Sequence, residues 1–116
     1  MTIPTHWRGF WEQPALGRQP MHDVVLRFSD EAIEGGGHDI VGRFTFAGQI
    51  GAGGAVTMIK QYIGRHEVLY QGQYDGEGTI HGRWSIGPHE SGPFVLHLAR
   101  EGMNEDKIEI SEDLAL

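Results

Sequence analysis

The chain contains no cysteine among its 116 residues. This absence excludes disulfide bonds, thiolate catalysis and every zinc or iron–sulfur site that needs sulfur ligands. No apolar run approaches the roughly 18 residues that a transmembrane helix requires. The N-terminus also lacks a basic start followed by an apolar stretch, so we expect no signal peptide and no membrane partner. These absences predict a cytoplasmic protein.

Basic residues are few and scattered. Nine lysines and arginines stand against sixteen acidic residues, for a net charge of −7, and no two basic residues are adjacent. Nucleic-acid binding depends on clustered cations that neutralise phosphates, so we exclude DNA and RNA as partners. The segment 101–116 holds six carboxylates and only one lysine. We interpret it as a solvated acidic end. The alternative is that its negative charge attracts basic partners.

Amphipathic helix patterns are missing, whereas glycine is abundant. The chain has 18 glycines, about twice the roughly 7% average, and they separate short segments of alternating apolar and polar residues. This period of two predicts strands over about 7–13, 22–29, 40–47, 55–63, 66–74, 79–87 and 93–100, with a last strand near 107–111. The segment 30–39 contains three consecutive glycines and predicts a wide turn.

The links between most of these strands are short. Short sequential links favour an antiparallel meander, because parallel crossovers need a dozen or more residues. We therefore predict an all-β fold in which residues 1–116 form a single up-and-down antiparallel β-barrel of about eight strands. A two-sheet β-sandwich is the alternative. An eight-stranded barrel is wide enough to be filled by side chains or to hold one small ligand.

The direction of Lys60 depends on the turn that follows its strand. A two-residue turn at Gly64-Arg65 sends Lys60 to the outside of the barrel. A three-residue turn at 63–65 instead aligns Lys60 with Val68 and directs it inward. The first register is preferred, because an outward lysine costs nothing whereas a buried one must be paired. The sequence leaves both registers open.

The next hairpin joins the strands 66–74 and 79–87. A three-residue link at 75–77 predicts Tyr70 opposite Gly82 and Gly72 opposite Ile80. Large side chains would then face glycines inside the barrel.

No established catalytic or metal-binding motif is present. The seven histidines show neither i, i+4 nor His-x-His spacing, so we predict no metal and no other cofactor. The serines lack the Gly-x-Ser-x-Gly elbow of a hydrolase, and the glycine-rich segment 51–54 does not open a helix that would bind phosphate. We assign no catalytic residue.

Aromatic and polar side chains on the predicted inner faces suggest a concave site for a small hydrophobic or aromatic ligand. Tyrosine and tryptophan combine an apolar ring with one hydrogen-bonding atom. The predicted ligand-binding residues are Trp11, Lys60, Tyr62, His66, Tyr70, Tyr74 and Trp84. An inward Lys60 would have a depressed pKa and would bind an anion or act as a base. In the alternative interpretation, these residues merely fill the barrel and pair their polar atoms internally.

Several apolar residues fall on the opposite, outward faces. The set comprises Phe10, Val25, Ile59, Ile63, Leu69 and Val95. Although single exposed apolar residues are normal, this number predicts packing between barrels in a homo-oligomer.

Three short segments place an aromatic residue shortly after a glycine: Trp7-Arg8-Gly9-Phe10-Trp11, Gly42-Arg43-Phe44 and Gly82-Arg83-Trp84. They resemble the Gly-x-Trp and Gly-x-Tyr elements of the avidin- and lipocalin-type barrels. The resemblance implies an eight-stranded antiparallel barrel with a ligand site at one mouth, often assembled as dimers or tetramers. It does not imply biotin binding. The early Asn and Ser ligands of avidins have no counterpart after Trp11, where Glu12-Gln13-Pro14 stands, and the only asparagine is Asn104.

Three functions remain open at this point. The first hypothesis is a non-enzymatic barrel that binds a small molecule. The second is an oligomeric structural or protein-interaction module with no ligand, which would use the outer apolar faces of strands 55–63 and 66–74. The third is a barrel-type isomerase or cyclase with Lys60 or His66 as acid or base, and it requires Lys60 to point inward.

Overall fold

A computed structural model of the chain describes residues 3–99 and contains eight β-strands. They are β1 (Pro4–Gln13), β2 (Gly17–Ser29), β3 (Ala32–His38), β4 (Arg43–Ile50), β5 (Ala55–Tyr62), β6 (Glu67–Tyr74), β7 (Thr79–Ile86) and β8 (Glu90–Leu98). A short 3₁₀ turn at Ala52–Gly54 precedes β5. The predicted acidic segment 101–116 and the predicted strand near 107–111 lie outside the described residues.

The strands form one closed barrel in chain order. Each strand pairs antiparallel with the next, and β1 closes the barrel by pairing with β8 from Trp7–Leu98 to Trp11–Phe94. The predicted up-and-down barrel is therefore confirmed, and the sandwich alternative is wrong. Closure gives every strand two neighbours and leaves no free sheet edge. Within the described range, no helix has the length and hydropathy that crossing a bilayer requires.

The core follows from the period-two alternation of the strands. On β4, Phe44 and Phe46 are buried, while Arg43, Thr45 and Ala47 between and beside them are exposed. The same alternation on the other strands places their large apolar side chains inside the barrel. Because antiparallel strands reverse direction, the turns after β1, β3, β5 and β7 all lie at one end of the barrel.

The segment predicted as a wide turn is mostly a strand. Residues Ala32–His38 form β3, and the three glycines at 35–37 pair with Phe46, Thr45 and Phe44 of β4. A Cβ atom on Gly35 would collide with the carbonyl oxygen of Val25 on β2. These glycines therefore permit close packing of strands, which their local sequence does not distinguish from turn formation.

The β5–β6 hairpin takes the register that directs Lys60 inward. Lys60 pairs with Val68, and the backbone N–H of Tyr62 donates to the carbonyl oxygen of His66 at 3.2 Å. The turn therefore comprises residues 63–65, and the preferred outward position of Lys60 is wrong. The lysine side chain is 1% exposed. The assumed cost of burying an unpaired amine does not arise, because a carboxylate from another hairpin meets it.

The β6–β7 hairpin is offset from its predicted register. Gly72 pairs with Gly82, and Tyr70 pairs with Trp84. The backbone N–H of Asp75 donates to the carbonyl oxygen of Thr79 at 3.0 Å, so the link comprises residues 76–78, one position later than predicted. The Asp75 carboxylate stabilises this turn by accepting hydrogen bonds from the backbone N–H groups of Glu77 and Thr79 at 2.7 and 3.0 Å. The consequence is that Tyr70 and Trp84 lie side by side inside the barrel.

Candidate functional site

A buried ion pair lies inside the barrel, near the turns that follow β1, β3, β5 and β7. The Nζ atom of Lys60 is 2.7 Å from Oδ2 of Asp39, and the two side chains are 1% and 0% exposed. Lys60 reaches the interior from β5. Asp39 follows β3 in a tight turn, where its backbone N–H and C=O both pair with Gly42, at 3.0 and 3.1 Å. This turn directs the carboxylate back over the end of the core.

Three further donors satisfy the Asp39 carboxylate. The Trp11 indole Nε1–H and the Tyr62 hydroxyl donate to Oδ2 at 3.1 and 2.7 Å. The backbone N–H of Val41 donates to Oδ1 at 2.9 Å. Because β1, β5 and the β3–β4 turn all converge on this carboxylate, it fixes the positions of the Trp11 and Tyr62 rings.

The Lys60 ammonium is held by one further strong contact and by aromatic rings. It donates to the Tyr70 hydroxyl at 3.1 Å, and it lies 3.6 Å from the thioether sulfur of Met21, a weak acceptor. The centroids of four rings surround Nζ at 4.2 Å for Phe44, 4.8 Å for Tyr62, 5.3 Å for Tyr70 and 5.7 Å for Trp11. Aromatic faces attract the cation and partly replace the water it has lost.

Burial and pairing shift the ionisation of all four groups. Burial lowers the pKa of Lys60 to about 8, although the neighbouring Asp39 carboxylate opposes that shift. Burial by itself raises the pKa of Asp39, but the Lys60 charge and the hydrogen bonds more than offset it and hold this pKa below its ordinary value. Burial and the Asp39 charge raise the pKa of both Tyr62 and Tyr70. The phenols therefore stay protonated, whereas the amine releases its proton in mildly alkaline solution.

A cavity of about 110 Å³ lies beside the ion pair at this end of the barrel, which we call the cavity end. Aromatic rings of Trp11, Tyr62, Tyr70 and Trp84 form much of its wall. The remaining lining residues are Gln13, Leu16, Val41, His66, Val68, Ile86 and Glu90. Leu16 and Glu90 are exposed, so the cavity opens to solvent. Two further pockets, of about 350 and 330 Å³, contain none of the predicted site residues.

The polar atoms of the four aromatic residues in the cavity wall already have partners within the protein. Trp84 donates its Nε1–H to the backbone carbonyl of Glu12 at 2.9 Å, and Trp11 and Tyr62 donate to Asp39. Across the described part of the chain, every fully buried side-chain nitrogen or oxygen has a hydrogen-bond partner. The wall therefore presents mainly apolar ring surface to whatever enters.

The structure brings five of the seven predicted site residues to the cavity wall. These are Trp11, Tyr62, His66, Tyr70 and Trp84. Lys60 lies behind the wall, in contact with Tyr70 and Asp39. Tyr74 does not belong to the group, because it ends β6 at the opposite end of the barrel, where it pairs with Ile80.

Asp39 is the residue that sequence reasoning missed. It follows three glycines and one histidine, and this context is typical of a solvent-exposed turn. The one available signal was indirect, since an inward lysine requires a buried carboxylate. That signal did not identify which of the sixteen acidic residues supplies it.

The structure offers no clustered metal ligands among residues 3–99, where no group of three or more histidine, aspartate or glutamate side chains is placed to hold an ion. Comparisons with models of protein families, with curated proteins and with solved structures found no match.

Proposed function

We propose that the barrel binds one small hydrophobic or aromatic molecule in the cavity and does not itself catalyse a reaction. The observation that supports this proposal is the open, aromatic-walled cavity at one end of a closed barrel. Avidin- and lipocalin-type barrels bind their ligands in the same place, at one mouth. We extend the resemblance that far, and we propose a cytoplasmic setting on the basis of the sequence.

The buried ion pair supports binding by holding the wall in place before a ligand arrives. Trp11 and Tyr62 are both hydrogen-bonded to Asp39, and Tyr70 is bonded to Lys60. A preorganised wall loses little conformational entropy on binding, which raises affinity. On this proposal, the pair acts through the rings rather than by touching the ligand.

The cavity size restricts the ligand to about one ring. Its volume of about 110 Å³ lies below the roughly 300–1,000 Å³ of pockets that bind drug-sized ligands. It is closer to the ~150 Å³ engineered cavity that is known to bind benzene. We therefore expect a single-ring molecule or a short branched chain.

Native mass spectrometry tests this proposal directly. The purified protein is weighed under native and denaturing conditions, and it is then titrated with benzyl alcohol while tryptophan fluorescence is recorded. We expect either a co-purified mass that is lost on denaturation or saturable binding of benzyl alcohol with a fluorescence change. A protein that carries no extra mass and does not respond to benzyl alcohol would contradict the proposal.

An isomerase or cyclase is the second candidate, and the inward position of Lys60 favours it. That hypothesis required an interior acid or base, and Lys60 is interior, with a pKa lowered to about 8 by burial. Lys60 does not line the cavity, however, and its strong contacts are with Asp39 and Tyr70. We therefore place binding first.

We further propose that the barrel forms a homo-oligomer through the outer face of β5 and β6. Ile59 pairs with Leu69 across these strands, and Ile59 and Ile63 are 36% and 63% exposed. Contact between two copies would remove this apolar surface from water.

A further inference from the structure

The burial of Lys60 is costly, and a hydrocarbon side chain would fill the same volume. The chain has only two lysines, Lys60 and Lys107, and Lys60 is placed in the barrel core with 1% exposure. Replacement of a buried ion pair by apolar residues of similar volume is often neutral or stabilising. What a hydrocarbon does not provide at this position is a primary amine beside a cavity.

We propose that Lys60 captures a small aldehyde from the cavity as a Schiff base. This inference rests on the proposed binding function and names the ligand class as carbonyl compounds of about one ring. It assigns a covalent role to an amine that the binding proposal uses only to support the wall.

The geometry places the amine directly behind the inner wall of the cavity. Three of the rings that surround Nζ, at 4.8 to 5.7 Å, belong to Tyr62, Tyr70 and Trp11, and these rings also line the cavity. A single layer of aromatic rings therefore separates the amine from a molecule bound in the cavity. Its weakest contact is with the Met21 sulfur, which leaves one N–H bond loosely held.

An aldehyde reaches the amine when the Tyr62 ring turns aside. The side chain of Tyr62 donates one hydrogen bond, from its hydroxyl to Asp39, and the residue ends β5 next to the 63–65 turn. Asp39 keeps its bonds to Lys60, Trp11 and Val41 when that contact opens. The movement therefore breaks one hydrogen bond and the ring contacts with Phe44 and His66, whose centroids lie 5.9 and 5.2 Å from that of Tyr62, and it leaves the remaining hydrogen bonds of Asp39 in place.

The groups needed for imine formation are all present. The neutral amine of Lys60 attacks the carbonyl carbon, a C–N bond forms, and the carbonyl π electrons move to oxygen, which takes up the proton released from nitrogen. The resulting carbinolamine oxygen then takes up a second proton, and the nitrogen lone pair expels it as water. The Tyr70 hydroxyl, 3.1 Å from Nζ, is positioned to relay these protons. Overall, one ammonium and one aldehyde give one iminium and one water.

The charge of the site is the same before and after the reaction. An ammonium is replaced by an iminium, and Asp39 remains beside the cation, so no buried charge is left unpaired. The lowered pKa of Lys60, about 8, also provides neutral amine at moderate pH.

Reductive trapping tests the proposal with the full-length protein. The protein is incubated at pH 8 with benzaldehyde and sodium cyanoborohydride, and benzyl groups are located by peptide mass spectrometry. We expect one benzyl group on Lys60, attached about tenfold or more faster than on Lys107, because the cavity raises the local aldehyde concentration and because the lowered pKa of Lys60 leaves more of its amine neutral at pH 8. Tyr62→Phe should label faster than the wild type, since the ring is no longer tethered to Asp39.

A parallel titration with benzyl alcohol, which has the same ring but no carbonyl group, separates the two proposals. If benzyl alcohol binds but Lys60 is labelled no faster than Lys107, the Schiff-base proposal is wrong and the binding function stands. If benzyl alcohol does not bind and Lys60 is not labelled, both proposals are wrong. If Tyr62→Phe labels no faster than the wild type, movement of Tyr62 is not the access route.

Discussion

Lys60 and Asp39 are 21 positions apart in the chain, yet their charged groups meet at 2.7 Å inside the barrel. Lys60 lies on β5, whereas Asp39 lies in the turn between β3 and β4. The contact therefore joins a strand to the hairpin that precedes it and closes the core at the cavity end. It also connects Trp11, Tyr62 and Tyr70 in one hydrogen-bonded network, which orients three of the cavity's aromatic walls.

The first prediction concerns the cost of removing the Asp39 charge. Asp39→Asn keeps the shape of the side chain but leaves the buried Lys60 ammonium without a counter-charge. We expect the free energy of unfolding to fall by about 3–5 kcal/mol at pH 7. Urea unfolding followed by tryptophan fluorescence measures this. The matched control is Asp30→Asn, in an exposed turn where Asp30 has a φ of 56° that asparagine also tolerates, and it should change stability by less than about 0.5 kcal/mol. Equal effects of the two substitutions would contradict a central role for the pair.

The second prediction concerns the pH dependence that Lys60 confers. Burial lowers its folded-state pKa to about 8, against an ordinary value of 10.5. Between these values the unfolded chain binds a proton that the folded chain has released, so stability increases with pH in this window. We expect the wild type to gain stability from pH 8 to pH 10 relative to Lys60→Met, which lacks the titrating group. The pKa values of Tyr62 and Tyr70 are raised in the folded protein, so above about pH 10 the unfolded chain loses tyrosine protons that the folded chain retains. This lowers stability as the pH rises, and the comparison therefore ends at about pH 10. If the free energy of unfolding changes with pH in the same way in both proteins, the pKa of Lys60 is not lowered by folding.

The third prediction concerns the cavity itself. Val41 lines the cavity from the β3–β4 turn, and its backbone N–H, rather than its side chain, binds Asp39. Val41→Phe should therefore fill the cavity, abolish binding of benzyl alcohol and leave the free energy of unfolding within about 1 kcal/mol of the wild type. Val95→Phe, on the outward face of β8, is the control and should bind benzyl alcohol normally. Binding of benzyl alcohol by Val41→Phe with unchanged affinity would place the binding site elsewhere.

The fourth prediction concerns assembly. Leu69 faces outward on β6 and pairs with Ile59 and Ser85 of the flanking strands. If this face joins two copies, Leu69→Lys buries unpaired charges at the interface and should yield monomers in size-exclusion chromatography with light scattering. Gln71→Lys adds the same charge two residues along the same face and tests for a nonspecific effect of charge. A monomeric wild type would show that the predicted homo-oligomer does not form.

Most of the fold was predictable because strand alternation is a local property. The pattern on β4, with Phe44 and Phe46 inward, can be identified from five consecutive residues, and it is what the structure contains. Trp11, Tyr70 and Trp84 reached the cavity for the same reason. An inward-facing aromatic residue on a barrel strand enters the core, although its height along the strand decides whether it meets the cavity. Tyr74 shares a face with Tyr70 but lies at the opposite end.

The errors arose where the outcome depends on contacts between distant segments. The glycines at 35–37 resemble a turn by local criteria, but they form a strand because β2 approaches too closely for side chains at Gly35. Lys60 points inward because the β5–β6 turn has three residues; a turn of two residues would direct it outward. The cost assigned to its inward position was correct for an isolated lysine but not for one paired with Asp39.

The sequence by itself determined an all-β chain of short antiparallel strands in sequential order, because alternation and short links act over a few residues. It left open whether these strands close into a barrel or form a sandwich. The tertiary structure alone decided that Lys60 is buried, that Asp39 is its partner and that an aromatic-walled cavity of about 110 Å³ opens beside them. These features depend on strand registers and on a turn that folds back over the core. The free energy that selects them comes from pairing groups far apart in the chain, which no local pattern encodes.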